Sequence, residues 1–79
     1  MAGEKTMVSP AWNRIAGKWK QFKGEVHQRW GNLTDDDVDR IEGSRERLAG
    51  LLQERYGIAQ QEAFRQIDEW ADEMKARLS

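Results

Sequence analysis

No cysteine occurs in the 79 residues, so neither a disulfide framework nor a thiolate metal site can be built. Proline, histidine and tyrosine appear once each. The single His27 has no second imidazole to join it, and it falls on the polar side of its helix, so metal and nucleophilic chemistry built on histidine lacks a partner. No apolar run approaches the roughly 20 residues of a membrane-spanning helix. No segment alternates apolar and polar with period two, so no strand is expected. The opening Met1-Ala2-Gly3-Glu4-Lys5 lacks the apolar stretch of a signal peptide, which points to a cytoplasmic location.

What is present is charge, tryptophan and glycine. Charged residues make up 34% of the chain and the net charge is only −1. That balance suits a soluble helical domain near the size at which one core barely suffices. Four tryptophans in so short a chain argue that the core is real, since each indole buries a large area.

Six glycines stand in two triplets with seven-residue steps, Gly17, Gly24, Gly31 and Gly43, Gly50, Gly57. Laying 12–33 over 38–59 pairs Arg14 with Arg40, Ile15 with Ile41 and Arg29 with Arg55. Phe22 then meets Leu48, Val26 meets Leu52 and Trp30 meets Tyr56. Six of the 22 positions are identical. The pattern is that of an internally repeated helical unit, too small to bury its apolar face alone.

Charge is also divided. Residues 1–33 carry six Lys/Arg against two Asp/Glu, giving +4, and residues 34–79 carry seven against twelve, giving −5. Either the halves attract each other, or two chains do, or the basic first helix meets an anionic partner.

The helices can be placed from spacing and caps. Ser9 is a good N-cap and Pro10 suits the first helical position. Trp12, Ile15, Trp19, Phe22, Val26 and Trp30 recur at spacings of three and four, one apolar stripe on one helix. Gly17 is placed to kink that helix, and Gly31 to end it in a left-handed conformation. Thr34 with Asp37 forms a capping-box pattern, and Asp35, Asp36 and Asp37 suit the positive end of the helix dipole. Val38 and Ile41 give the second helix a short apolar face, and Gly43 breaks it. Ser44 caps a third, with Leu48, Leu51, Leu52 and Tyr56 inward and Gly57 closing it. A fourth begins near Gln60 with Ile58 as staple, and its stripe is Ala63, Phe64, Ile67, Trp70, Ala71, Met74 and Leu78. The expectation is an all-α bundle of about four helices: a flexible extension over 1–8, then one domain over 9–79 made of two pseudo-repeated hairpins packed crosswise. Gly24 and Gly50, inside helices and away from the stripe, are read as points of close approach by a neighbouring helix, a terminus or a second chain, with a tolerated kink or a deliberately marginal stability as the alternatives.

The residues carry a resemblance at this point. Gly17-Lys18-Trp19-Lys20-Gln21-Phe22-Lys23-Gly24, then Trp30-Gly31-Asn32-Leu33-Thr34-Asp35-Asp36-Asp37, resemble the signature of the CsbD-like family of bacterial stress-response proteins. Ile41-Glu42-Gly43, Gly50, Gln53-Glu54-Arg55-Tyr56-Gly57 and Asp68-Glu69-Trp70 continue the likeness, which spans about residues 13–72. The resemblance implies a small cytosolic helical protein of the general stress response. It implies no catalytic residues and no cofactor.

Other chemistry fares poorly. Asp35, Asp37, Asp39 and Glu46 match positions 1, 3, 5 and 12 of a calcium loop, but Arg40 stands where the loop needs glycine. No metal site is therefore expected. Ser9, Thr34 and Ser44 read as caps, and no carboxylate pair is placed for hydrolysis. Lys18, Lys20, Lys23 and Arg29, interleaved with Trp19 and Phe22, are the candidate anion-binding residues. The aromatics share the core stripe with Ile15 and Val26, and the pI is about 5.8, so nucleic acid is disfavoured as partner. Membrane attachment is disfavoured too, since the apolar face is needed inside. The reading is a non-enzymatic protein acting by weak contact with an unknown macromolecular partner or with itself, with an anion-binding adaptor as the alternative.

Overall fold

Trp12 to Trp30 do form helix, but in two pieces. The computed structural model describes residues 10–78. Its elements are α1 (Pro10–Gly17), α2 (Trp19–Arg29), α3 (Asp35–Ile41), α4 (Arg45–Tyr56) and α5 (Gln60–Leu78), with no strand among the described residues. The Ser9 cap and the extension over 1–8 lie outside the described residues, as does the side chain of Leu78.

Among the described residues the helix count is thus five rather than about four, because Gly17 ends α1 instead of kinking it. Lys18 leaves helical geometry (φ −122°, ψ 34°), and its N–H donates to the Ile15 carbonyl at 3.0 Å. The break re-aims the stripe. Trp12 and Ile15 of α1 and Trp19, Phe22 and Val26 of α2 are all buried.

Gly31 is not the left-handed residue expected. Positive φ is confined, among the described residues, to Glu42, Gly43 and Gly57. α2 ends instead at Trp30 (φ −128°), whose N–H donates to the Val26 carbonyl while its indole turns into the core at 1% exposure. The other boundaries follow local chemistry. Thr34 and Asp37 form the reciprocal capping box, and the Ser44 hydroxyl accepts from the Arg47 N–H. Gly57 closes α4 at φ 66°.

α5 is the longest helix and packs chiefly against α1 and α4. The Cα envelope measures 36 × 30 × 18 Å, its short dimension close to two helix layers. Trp70 sits at the centre. Its ring centroid lies 6.2 Å from Trp12, 6.2 Å from Phe22 and 5.4 Å from Trp30, the last two edge-on. Trp12 and Trp19 extend the cluster at 5.8 Å. Three indoles also donate across the chain: Trp12 to the Gly43 carbonyl, Trp19 to the Val38 carbonyl and Trp30 to Gln66.

The expected core residues Trp12, Trp19, Phe22, Val26, Trp30, Leu48, Leu52, Ile67 and Trp70 are all buried. Tyr56 is a correction: it is 38% exposed. Its hydroxyl accepts from the Asn32 N–H at 3.1 Å, so the ring lies outside the core and ties the end of α4 to the loop before α3. Phe64 and Leu51 are half-buried at the core edge. Phe64 has the Arg45 guanidinium over its ring at 4.2 Å in place of hydrocarbon.

The close approach within the chain falls elsewhere than expected. A Cβ on Gly24 or Gly50 would meet nothing within 4 Å. At Gly43 (φ 79°) it would stand 3.2 Å from the Ala16 carbonyl oxygen. The end of α1 therefore lies against the α3–α4 turn, where only glycine leaves room.

This packing sets the outcome of three substitutions. Trp70→Ala removes the ring shared by three aromatic contacts and should cost about 3–5 kcal/mol, enough to abolish the cooperative melt of so small a domain by circular dichroism. Gly24→Ala should stabilise the monomer by up to about 1 kcal/mol, since it removes a weak helix former from open space. Gly43→Ala should do the reverse, and denaturant titration reads both signs.

Candidate functional site

The sequence-predicted cations do not form one patch. Lys18 is the non-helical residue before α2, and Lys20, one turn ahead of Lys23, is exposed. Neither makes an ion pair among the described residues. Lys23 Nζ is 2.6 Å from Asp39 of α3. The Arg29 guanidinium stacks over Trp30 at 5.2 Å. At about 100° per residue, Lys23 and Arg29 flank opposite edges of the buried face of α2, roughly 120° apart. A flat anion could not touch both without crossing the core stripe. Lys18 and Lys20 are the pair left open to a ligand.

Much of the charge is committed between elements instead. Lys23–Asp39 and His27–Asp35 (2.8 Å) join α2 to α3, and Arg77–Glu25 joins α5 to α2. Arg45 makes a two-point pair with Asp68 at 3.0 and 2.8 Å, linking α4 to α5. Lys23–Asp39 sets a cation of the basic first half against the acidic second half, while Arg77–Glu25 pairs the halves with the signs reversed and the His27 imidazole carries none of the charge counted in that division. Asp35, Asp37 and Asp39 lie on α3 and Glu46 on α4, so the four carboxylates sit on helices rather than around a calcium loop. No group of three or more metal-competent side chains clusters among the described residues.

The site that residue patterns missed is Asp37. It is 2% exposed, and Arg55 meets it with two parallel hydrogen bonds, Nε to Oδ2 at 3.0 Å and Nη2 to Oδ1 at 2.9 Å. The Thr34 N–H adds a third bond to Oδ2 at 3.1 Å. The Arg55 hydrogen bonds come first among the causes that hold the Asp37 carboxyl down to about 2, with the Thr34 backbone next and burial opposing them. The same pairing raises Arg55. Sequence marks Asp37 as a capping acid, and it is one. Nothing in the spacing of Asp37 and Arg55, 18 residues apart, shows that one carboxylate serves both a cap and a helix–helix clamp. On the surface, Arg65 and Gln66 hold Glu62 down to about 2 in the same way.

The arrangement is thus a small helical domain in which, among the described residues, five pairs of ionisable side chains tie helix to helix. A surface depression of about 840 Å³ opens over α4 and is lined by Arg40, Glu42, Arg47, Gly50, Leu51, Gln53 and Glu54. No described helix is long and apolar enough to cross a membrane.

Comparison with known proteins agrees with the class. The sequence model of the CsbD-like family matches residues 13–65, and the chain belongs to that family. It is 55% identical over 64 residues to UPF0337 protein RPA4217 of Rhodopseudomonas palustris, covering 81% of this chain and 97% of that protein. It is 54% identical over 58 residues to UPF0337 protein YjbJ of Escherichia coli O6:H1, covering 73% and 84%. It is 53% identical over 58 residues to a UPF0337 protein of Bordetella pertussis, covering 73% and 88%. No solved structure matches the chain at a significant level.

The clamp has a pH signature. Asp37 and Glu62 titrate lower folded than their unfolded values near 4, so each contributes stability that is complete above about pH 5 and lost as pH falls toward 2. Melting temperature should therefore fall through that window. Asp37→Asn should lower stability at pH 7 and flatten the acid limb relative to the parent, a difference that thermal melts at stepped pH would read.

Proposed function

We propose that this protein is a non-enzymatic member of the bacterial stress response that acts by weak, protective contact with other macromolecules. Family membership supports the stress-response class. The observation that carries the mechanism is the surface itself. Aromatic side chains apart from Tyr56 are turned into or against the core, and the outside is a lattice of both charge signs, as in Arg65 with Glu62 and Glu69, Arg47 with Glu42 and Arg77 with Glu25. Such a surface stays hydrated and resists its own aggregation, and it touches many partners without a deep complementary pocket.

We read the architecture as two related helical hairpins closed by α5. Moving α1 and α2 forward by 26 residues places them at 36–43 and 45–55, against α3 at Asp35–Ile41 and α4 at Arg45–Tyr56. We place the protein in the cytoplasm. The anion-binding adaptor has less support, because Lys23 and Arg29 are engaged and only Lys18 and Lys20 face outward freely.

The test is the aggregation of a heat-labile reporter enzyme followed by light scattering with increasing amounts of this protein. Protection should appear near equimolar ratio and change little between about 50 and 200 mM salt. Binding through phosphate contacts would instead weaken by orders of magnitude over that range. A DNA and RNA titration read by tryptophan fluorescence supplies the second arm. Absence of protection would overturn the mechanism, and steep salt-sensitive nucleic-acid binding lost in Lys18→Gln/Lys20→Gln would replace it.

A further inference from the structure

The depression over α4 has a polarity that its lining residues make plain. Arg47, Gly50, Leu51 and Glu54 stand at i, i+3, i+4 and i+7, one face of the helix. Gly50 and half-buried Leu51 form the floor at mid-helix, and the space above Gly50 is open. At the N-terminal end stand Arg40 and Arg47, with Glu42 paired to Arg47 at 2.9 Å, so two cations face one carboxylate. At the C-terminal end stands Glu54, which makes no hydrogen bond or ion pair among the described residues. One end is net positive and the other net negative, and the middle holds the bare backbone of Gly50 and half-buried Leu51, with Gln53 beside them.

We infer that this face is the site at which a second copy of the chain docks, with the two α4 helices antiparallel about a two-fold axis between Gly50 and Leu51. The axis fixes the register. Leu51 of one copy lies over Gly50 of the other, where no Cβ obstructs it. Arg47 meets Glu54, and the second Arg47–Glu54 pair forms by symmetry. A self-complementary patch of this kind is what an isologous interface requires. Glycine at the crossing lets the axes approach closer than the usual distance of roughly 8–10 Å. It also accounts for a residue that the monomer's own packing leaves unused. The contact is one helix face, small beside the roughly 800 Å² per partner of a standard interface, so the dimer is weak and forms in the micromolar range or above. It lies on a different helix from the lysines of α2 and stands whether or not the protein protects other macromolecules.

The experiment is sedimentation velocity on the full chain from low micromolar to several hundred micromolar, with circular dichroism on each variant. The parent should pass from monomer to dimer with concentration. Gly50→Gln fills the floor from a position whose Cβ meets nothing within 4 Å, and should raise the dissociation constant at least about tenfold. Glu54→Lys, which breaks no hydrogen bond or ion pair in the monomer, should do likewise by setting Lys against Arg47. Arg47→Glu with Glu54→Lys, made on a Glu42→Gln background so that two carboxylates do not face each other within the monomer, should recover dimerisation relative to Glu54→Lys on that background, since the pair is restored with its signs exchanged. A chain that stays monomeric throughout, a dimer indifferent to Gly50→Gln, or a folded exchanged-pair variant no tighter than Glu54→Lys on the same background would each overturn the proposal.

Discussion

Trp70 is the residue on which the packing of α1 and α2 against α5 depends. It sits on α5, and its ring meets Trp12 of α1, Phe22 of α2 and Trp30 at the end of α2. A domain of this size buries too little surface to stabilise five helices separately. Concentrating large aromatic areas in one cluster lets the helices share the same burial. The directional part comes from the indole N–H groups. Trp12 and Trp19 donate to backbone carbonyls of the α3–α4 turn and of α3, and Trp30 donates to Gln66 of α5. Burial gives the cluster its strength, and these bonds fix which helix sits where. The family match ends at residue 65, five residues short of Trp70, so it is the remainder of α5 in this chain that completes the cluster.

The second constraint is electrostatic. Burying a carboxylate is costly unless its oxygens are bonded, and Asp37 is bonded by Arg55 twice and by the Thr34 N–H once. The gain is geometric: α3, only seven residues long, could not hold itself in place by propensity. Asp37 caps it and anchors it to α4 through the same carboxylate. Lys23–Asp39 and His27–Asp35 then fasten its outer side to α2. Of the α2 cations only Lys23 is drawn into this fastening, so Lys20 keeps its charge at the surface, as does Lys18 just ahead of the helix.

Local chemistry was the legible part of this fold. Thr34 with Asp37, Ser44 and Gly57 each act on their own neighbours within a few residues, so the sequence contains the whole argument for them. The apolar stripe named the core for the same reason, since burial follows periodicity. What failed needed long-range knowledge. Tyr56 occupies a position that periodicity assigns to the core, but its hydroxyl is claimed by Asn32, 24 residues away. Gly31 has the placement of a helix C-cap, yet Trp30 leaves the helix first because the core across the molecule takes its indole. The split at Gly17 was the nearest miss. Gly43 already breaks the corresponding position of the second unit, and the same spacing could have been read back onto the first.

The glycines show how a rule can be right in kind and wrong in place. Close backbone approach is met within the chain at Gly43, where the Ala16 carbonyl leaves no room for a Cβ. Gly24 and Gly50 weaken their helices, by about 1 kcal/mol each relative to alanine, and the described chain compensates neither. Yet the two are not equivalent. Gly50 lies in the open depression beside Leu51, between a net-positive and a net-negative end. The shape and charge of that surface match a reversed copy of itself. In the proposed dimer the helix-weakening cost of Gly50 is offset by the contact its bare backbone permits, whereas nothing in the fold offsets the cost of Gly24.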